Sequence, residues 1–253
     1  MKPNLRKPWV CFALGLALLA AMPAFGIDSP ADKKIKIVLV GDSTVNDGSG
    51  WGKGFKKLLT PQAECTNLAA NGRSTMSFMK EGRWTNALAL KADYYLIQFG
   101  HNNEPGKPGR STDMPTFVSD MKKYVEDARQ AGARPILITP LTRRQWDKAE
   151  PGKIKSSLTP YAEEVKKIAA GKKVPVIDLH SRSIEVCENL GREGCLEFSP
   201  MKLVDGTNTV DNTHLNEKGS AIFGKVVAEE LVKTVPELKP CFRLDAEANR
   251  KDQ

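Results

Sequence analysis

Apolar residues in this chain gather into short runs that stop at glycine, proline or a polar side chain. Between the runs they recur every three or four positions. The runs at 35–40, 93–99, 135–139 and 174–179 read as buried strands, with 66–69 as a shorter fifth. Over 116–131, Phe117, Val118, Met121, Tyr124, Val125 and Ala128 share one helical face, and Gly132 supplies the stop. A second helix is expected over 160–170, ending at Gly171. A third is expected over 217–235, with Ala221, Ile222, Val226, Val227 and Leu231 inward and Pro236 as its end. A short helix is expected over 51–59, surface loops at 105–109 and 145–155, and a tail over 238–253. Strands alternating with helices of this length predict an α/β domain with a parallel sheet covered on both faces. No internal repeat interrupts the pattern.

Ahead of the first strand the pattern changes. Lys2, Arg6 and Lys7 precede an apolar stretch from Val10 to Ala21, and Ala24-Phe25-Gly26 has the small-x-small form of a cleavage site. Residues 1–26 therefore read as a secretory signal peptide, too short for a membrane span, and 27–253 as a single domain, secreted or periplasmic. Cys11 lacks the preceding small residues that lipidation needs. No other segment is long and apolar enough to cross a bilayer, so no membrane contact is expected after cleavage.

Charge adds little. The 253 residues carry a formal +8, which becomes +5 once Lys2, Arg6 and Lys7 are removed. Such a surface could favour acidic partners such as a uronate polymer, but ordinary solubility charge is the stronger reading. The basic residues are dispersed and export separates the chain from most nucleic acid, so no nucleic-acid partner is expected. The chain is expected to be a monomer. Cys65, Cys187, Cys195 and Cys241 remain after cleavage, and an even number in an exported chain reads as disulfides. Cys187 and Cys195 flank a short glycine-containing segment and are expected to pair, leaving Cys65 for Cys241. The cysteine spacings match no zinc knuckle and His101, His180 and His214 are scattered, so no metal is expected.

Four segments stand where strands end or the last helix begins. Gly41-Asp42-Ser43-Thr44 delivers a serine to the carboxyl end of the first strand, the edge where open α/β sheets bind ligands. Gly48, Gly50, Gly52 and Gly54 follow, a run that would let substrate approach the backbone. Asn71-Gly72-Arg73-Ser74 offers an unobstructed N–H at Gly72. Phe99-Gly100-His101-Asn102-Asn103 ends a strand in polar side chains, and the Asn102 amide suits an oxyanion donor. His101 reads as structural. Asp211-Asn212-Thr213-His214 puts an acid three residues before a base, an arrangement that can activate a serine from one loop. Taken singly, each segment also reads as a turn or a capped helix start; their joint occurrence carries the argument.

In this order the four blocks resemble the SGNH hydrolases, also called GDSL esterases. Gly50-Trp51-Gly52 and Glu81-Gly82-Arg83-Trp84 extend the likeness to the rhamnogalacturonan acetylesterase branch, over essentially the whole mature chain. The resemblance implies a three-layer α/β/α, flavodoxin-like fold with five parallel strands. It implies Ser43 as nucleophile, His214 as base and Asp211 orienting it, with Ser43 N–H, Gly72 N–H and the Asn102 side chain as the oxyanion hole. It implies deacetylation of an acetylated polysaccharide through an acetyl-enzyme, without a metal or organic cofactor. The family block usually reads Gly-His-Asn-Asp, and Asn103 departs from it. Arg73, Arg83, Arg143 and Arg144 are candidates for gripping uronate carboxylates, with solvated surface charge the stronger reading for Arg143 and Arg144. Of Trp51, Trp84 and Trp146, Trp146 in its polar loop is the best candidate for stacking on a sugar. A lipid or thioester hydrolase of the same fold, an acetylxylan esterase and a non-catalytic polysaccharide-binding protein are the rival readings.

Overall fold

The computed structural model describes Met1 and residues 33–244, and the described residues from Lys33 onward pack as one unit. The segment read as a signal peptide and residues 245–253 of the tail lie outside the described residues. Five parallel strands run β1 (Ile35–Gly41), β2 (Ala63–Asn67), β3 (Tyr94–Gln98), β4 (Arg134–Ile138) and β5 (Val176–Ile177), in the spatial order β2-β1-β3-β4-β5. That is the flavodoxin-like order of a doubly wound sheet, whose direction of winding reverses between β1 and β3. Side-chain alternation splits the core in two. Ile37 and Leu39 face a layer containing α1 (Gly52–Lys57), α6 (Leu179–Leu196) and α7 (Glu217–Thr234). Val38 and Val40 face α2 (Thr75–Lys80), α3 (Arg83–Ala89), α4 (Met114–Gln130) and α5 (Thr159–Lys172). Central side chains such as Leu39 and Leu96 are wholly buried, each worth about 1.5–3 kcal/mol.

Local chemistry sets the boundaries. Asp113 caps α4 by accepting from Thr116 N–H, and Asn216 caps α7 by accepting from Gly219 N–H. β2 lies earlier than the 66–69 reading because Ala63 already pairs with Ile35; Leu68 and Ala70 N–H still donate to Leu39 and Gly41. β5 is cut to two residues because Asp178 turns away to cap α6, accepting from Ser181 N–H. α6 continues through the glycine-containing segment that Cys187 and Cys195 flank, broken only by Gly191 at φ 70°. An exposed hairpin, β6 (Met201–Val204) and β7 (Thr207–Val210), leads into Asp211.

Two expectations are corrected. The Cys187–Cys195 and Cys65–Cys241 bridges are not formed, and all four thiols are free. Cys187 and Cys195 ride on α6 either side of Gly191, with Cys195 Sγ against the Cys187 carbonyl at 3.6 Å. The glycines after Ser43 serve packing. A Cβ on Gly50 would lie 2.2 Å from the Thr44 carbonyl, and one on Gly54 would lie 2.0 Å from the Ser220 carbonyl where α1 crosses α7.

Candidate active site

The reversal between β1 and β3 opens a crevice at the carboxyl edge of the sheet. The turn after β1 carries Ser43 and the turn after β3 carries Asn102, one on each side of it. A relay of buried side chains fixes the turn carrying Ser43. Asp42 Oδ1 accepts from Thr44 N–H (2.9 Å) and Thr44 Oγ1–H (2.7 Å). Gln98 Nε2 donates to Thr44 Oγ1, and Trp51 Nε1 donates to Gln98. Asp42 Oδ2 faces His101 Nδ1 at 3.5 Å, both side chains being buried. Burial raises the Asp42 carboxyl, but His101 and the Thr44 bonds outweigh it and hold Asp42 below the usual carboxylate range.

His214 Nε2 lies 2.8 Å from Ser43 Oγ, and its Nδ1 lies 2.8 Å from Asp211 Oδ2. The other Asp211 oxygen accepts from Thr213 and His214 N–H, so the acid organises its own loop. Burial pushes the Asp211 carboxyl up; the His214 ring and these two N–H groups reverse that and bring it down to about 2. Asp211 is thus ionised near neutral pH, as a base-orienting acid must be. The loop is tied to the turn bearing Ser43: Leu215 N–H donates to Ser49 O, and Ser49 Oγ donates to Ser43 O.

Gly72, at φ +74°, and Asn102 complete the crevice. Among the described residues no acceptor takes the N–H of Ser43 or Gly72. Asn102 Nδ2 donates one hydrogen to Arg73 O at 3.2 Å, which leaves its second for a ligand. Three donors therefore stand beside a serine–histidine–aspartate chain, the arrangement acyl transfer requires. The cleft holds about 540 Å³, and Ser49, Asn71, Thr213, His101, Lys107, Arg110 and Arg143 complete its lining.

The sequence model of the GDSL-like lipase/acylhydrolase family matches residues 39–222. The chain belongs to that family. This GDSL-like chain is accordingly a serine esterase. It is 36% identical over 212 residues to the rhamnogalacturonan acetylesterase RhgT of Bacillus subtilis, covering 78% of this chain and 89% of that one. The crystal structure of the Bacillus subtilis protein YXIM superposes with a TM-score of 0.66 at 25% identity, over 79% of this chain but 57% of that one. Axe2, an acetylxylan esterase from Geobacillus stearothermophilus, shares the fold with a TM-score of 0.58 at 16% identity, over 81% and 96% of the two chains.

Other sequence-picked residues of this GDSL-like chain lie elsewhere. The side chains of Arg73 and Arg83 both bind Glu81, and neither residue lines the cleft. Trp146 is half-buried against the core with Arg192 over its ring at 5.8 Å, and it does not line the cleft. Trp51 and Trp84 are buried. The reading of Arg143 and Arg144 as surface charge is also corrected. Arg143 lines the cleft and grips Glu104 through two bonds of 2.9 and 2.6 Å. Burial pushes the Glu104 carboxyl up, and Arg143, Ser157 and Lys107 bring it down to about 2.

Arg144 is 1% exposed. Its Nη2 donates to the carbonyls of Asp211 (2.8 Å) and His214 (2.5 Å), and its Nε to Ser199 Oγ. The Arg144 guanidinium thus braces both ends of the Asp-x-x-His turn. Its signal in the sequence was position: it follows β4 at the same sheet edge that bears Ser43. Asn103 is wholly buried; its amide donates to Thr75 Oγ1 (2.8 Å) and Thr112 Oγ1 (2.9 Å), and Thr75 Oγ1 donates to Asp120. An aspartate there could donate to neither threonine.

Proposed function

We propose that this GDSL-like esterase removes O-acetyl groups from a plant cell-wall polysaccharide, rhamnogalacturonan or a related pectin, as an exported monomer. The observation that carries the reading is the polarity of the cleft: none of its lining residues has an apolar side chain. A long acyl chain would find no apolar side chain to pack against there, whereas an acetyl group on a hydroxylated sugar needs little. The identity to a named rhamnogalacturonan acetylesterase supports the polymer.

In this mechanism Ser43 Oγ attacks the acetyl carbonyl while His214 Nε2 takes its proton. Asp211 stabilises the resulting imidazolium. The oxyanion accepts from Ser43 N–H, Gly72 N–H and Asn102 Nδ2. His214 then returns the proton to the departing sugar oxygen, leaving acetyl on Ser43. Water, deprotonated by His214, attacks the acetyl-enzyme, and acetate leaves as Ser43 regains its proton.

Acetate release from acetylated rhamnogalacturonan, acetylated homogalacturonan and acetylxylan tests the proposal. The first is expected to be the best substrate. Equal or better rates on acetylxylan would move the specificity to xylan, and a preference for long-chain aryl esters would remove the polysaccharide reading.

A further inference from the structure

We propose that Arg110 forms an anion subsite at the edge of the oxyanion hole, one that binds the carboxylate of a uronate residue in the substrate chain. The proposal rests on the polysaccharide reading above and says which feature of the polymer the enzyme grips.

Three cationic side chains, Lys107, Arg110 and Arg143, line the cleft, and no acidic residue does. Two of them are already neutralised from behind. Arg143 holds Glu104 in a fork, and Lys107 Nζ reaches the same carboxylate at 3.2 Å. Arg110 has no carboxylate partner among the described residues. Its contacts there are two long ones from Nη1, at 3.5 Å to Gly72 O and 3.5 Å to Asn102 Oδ1. A guanidinium carries five N–H donors in a planar fork that fits a carboxylate through two parallel bonds. Most of that fork is unused, and it sits against the two residues that flank the reacting carbonyl.

The loop bearing Arg110 is built rather than loose. Lys107 N–H donates to Ser111 Oγ, Arg110 and Ser111 N–H both donate to Lys107 O, and Ser111 Oγ donates to Glu104 O. The loop's far end is fastened by Asn103, whose amide donates to Thr112 Oγ1 and whose carbonyl accepts from Thr112 N–H. Binding a carboxylate therefore orders little that is not already ordered. Asn103, where the family usually has aspartate, anchors this loop.

The experiment uses the full-length enzyme and two matched substrates: acetylated rhamnogalacturonan oligosaccharides, and the same oligosaccharides with their carboxyl groups reduced to alcohols. The wild type is expected to lose about 10- to 100-fold in kcat/KM on the neutral set, the range for one charge-assisted fork. In Arg110→Gln the ratio between charged and neutral substrates is expected to fall towards one, with Arg110→Lys keeping part of it. In the wild type, galacturonate is also expected to inhibit aryl acetate hydrolysis more tightly than galactose, and less so as salt is raised. A wild type indifferent to carboxyl reduction, or an unchanged ratio in Arg110→Gln, overturns the subsite while leaving the deacetylase intact. No acetate from either set, with galacturonate no better than galactose, overturns both.

Discussion

Removing the Arg144 guanidinium is the perturbation that separates a brace from a bystander. Arg144→Met keeps an unbranched apolar stem in the buried slot beside Phe198 but deletes three hydrogen bonds. Two of these reach the carbonyls of Asp211 and His214, so the Asp-x-x-His turn loses the group that holds its ends together. Hydrogen bonds from a charged donor contribute about 1.5–3 kcal/mol each. Bonds sharing one side chain are not additive, and Nη1 is buried without a partner, which offsets part of the gain. The net loss should be about 2–4 kcal/mol in stability. Urea unfolding reads that term, and steady-state hydrolysis of an aryl acetate under folding conditions reads the other. A brace that sets the His214–Ser43 geometry predicts a fall in kcat of about 10- to 100-fold with KM little changed, since misplacement acts on the transition state. A variant that loses stability yet keeps kcat within about twofold would show that Arg144 only fills space.

Asn102→Ala is expected to lower kcat by about 100- to 1000-fold, the cost of one oxyanion donor, with the urea midpoint moved far less than kcat. The carboxyls of Asp211 and Glu104, both held at about 2, make stability depend on acid. Their folded values lie below the unfolded ones, so each contribution is fully present above about pH 4.5 and is lost as pH falls towards 2. About 1–2 kcal/mol each remains after solvent screening; urea midpoints between pH 2 and 5 should decline accordingly, less so in Glu104→Gln. Asn103→Asp, which restores the usual family residue, is expected to lose about 1–2 kcal/mol: the Thr112 hydroxyl can turn to donate to the carboxylate, but Thr75 Oγ1, whose hydrogen goes to Asp120, loses its donor and faces a second carboxylate. A melting temperature equal to or above wild type would contradict that account.

The fold was legible where burial is simple. β1, β3, β4, α4, α5 and α7 announce themselves because their inner faces are unbroken apolar runs or stripes, such as Phe117–Met121–Tyr124–Ala128. α6 was hidden because polar His180 and Ser183 occupy its buried face and Gly191 breaks its geometry. β2 carries exposed polar residues at an edge, and its position follows from pairing with β1 rather than from its own pattern. In the site, Ser43, Gly72, Asn102, Asp211 and His214 could be picked out because each follows a strand or precedes a helix. The arginines could not. Sequence alone does not distinguish a guanidinium that braces two carbonyls, as in Arg144, from one facing water. Nor does it show that Arg73 and Arg83 are both occupied by Glu81.

The most direct test of the account is the acetyl-enzyme itself. Wild type quenched in acid during turnover of acetylated rhamnogalacturonan should carry one added acetyl group on the peptide containing Ser43. Ser43→Ala should carry none and release no acetate. Acetate release that persists in Ser43→Ala, or an acetyl group found on another residue, would contradict the assignment of Ser43, His214 and Asp211.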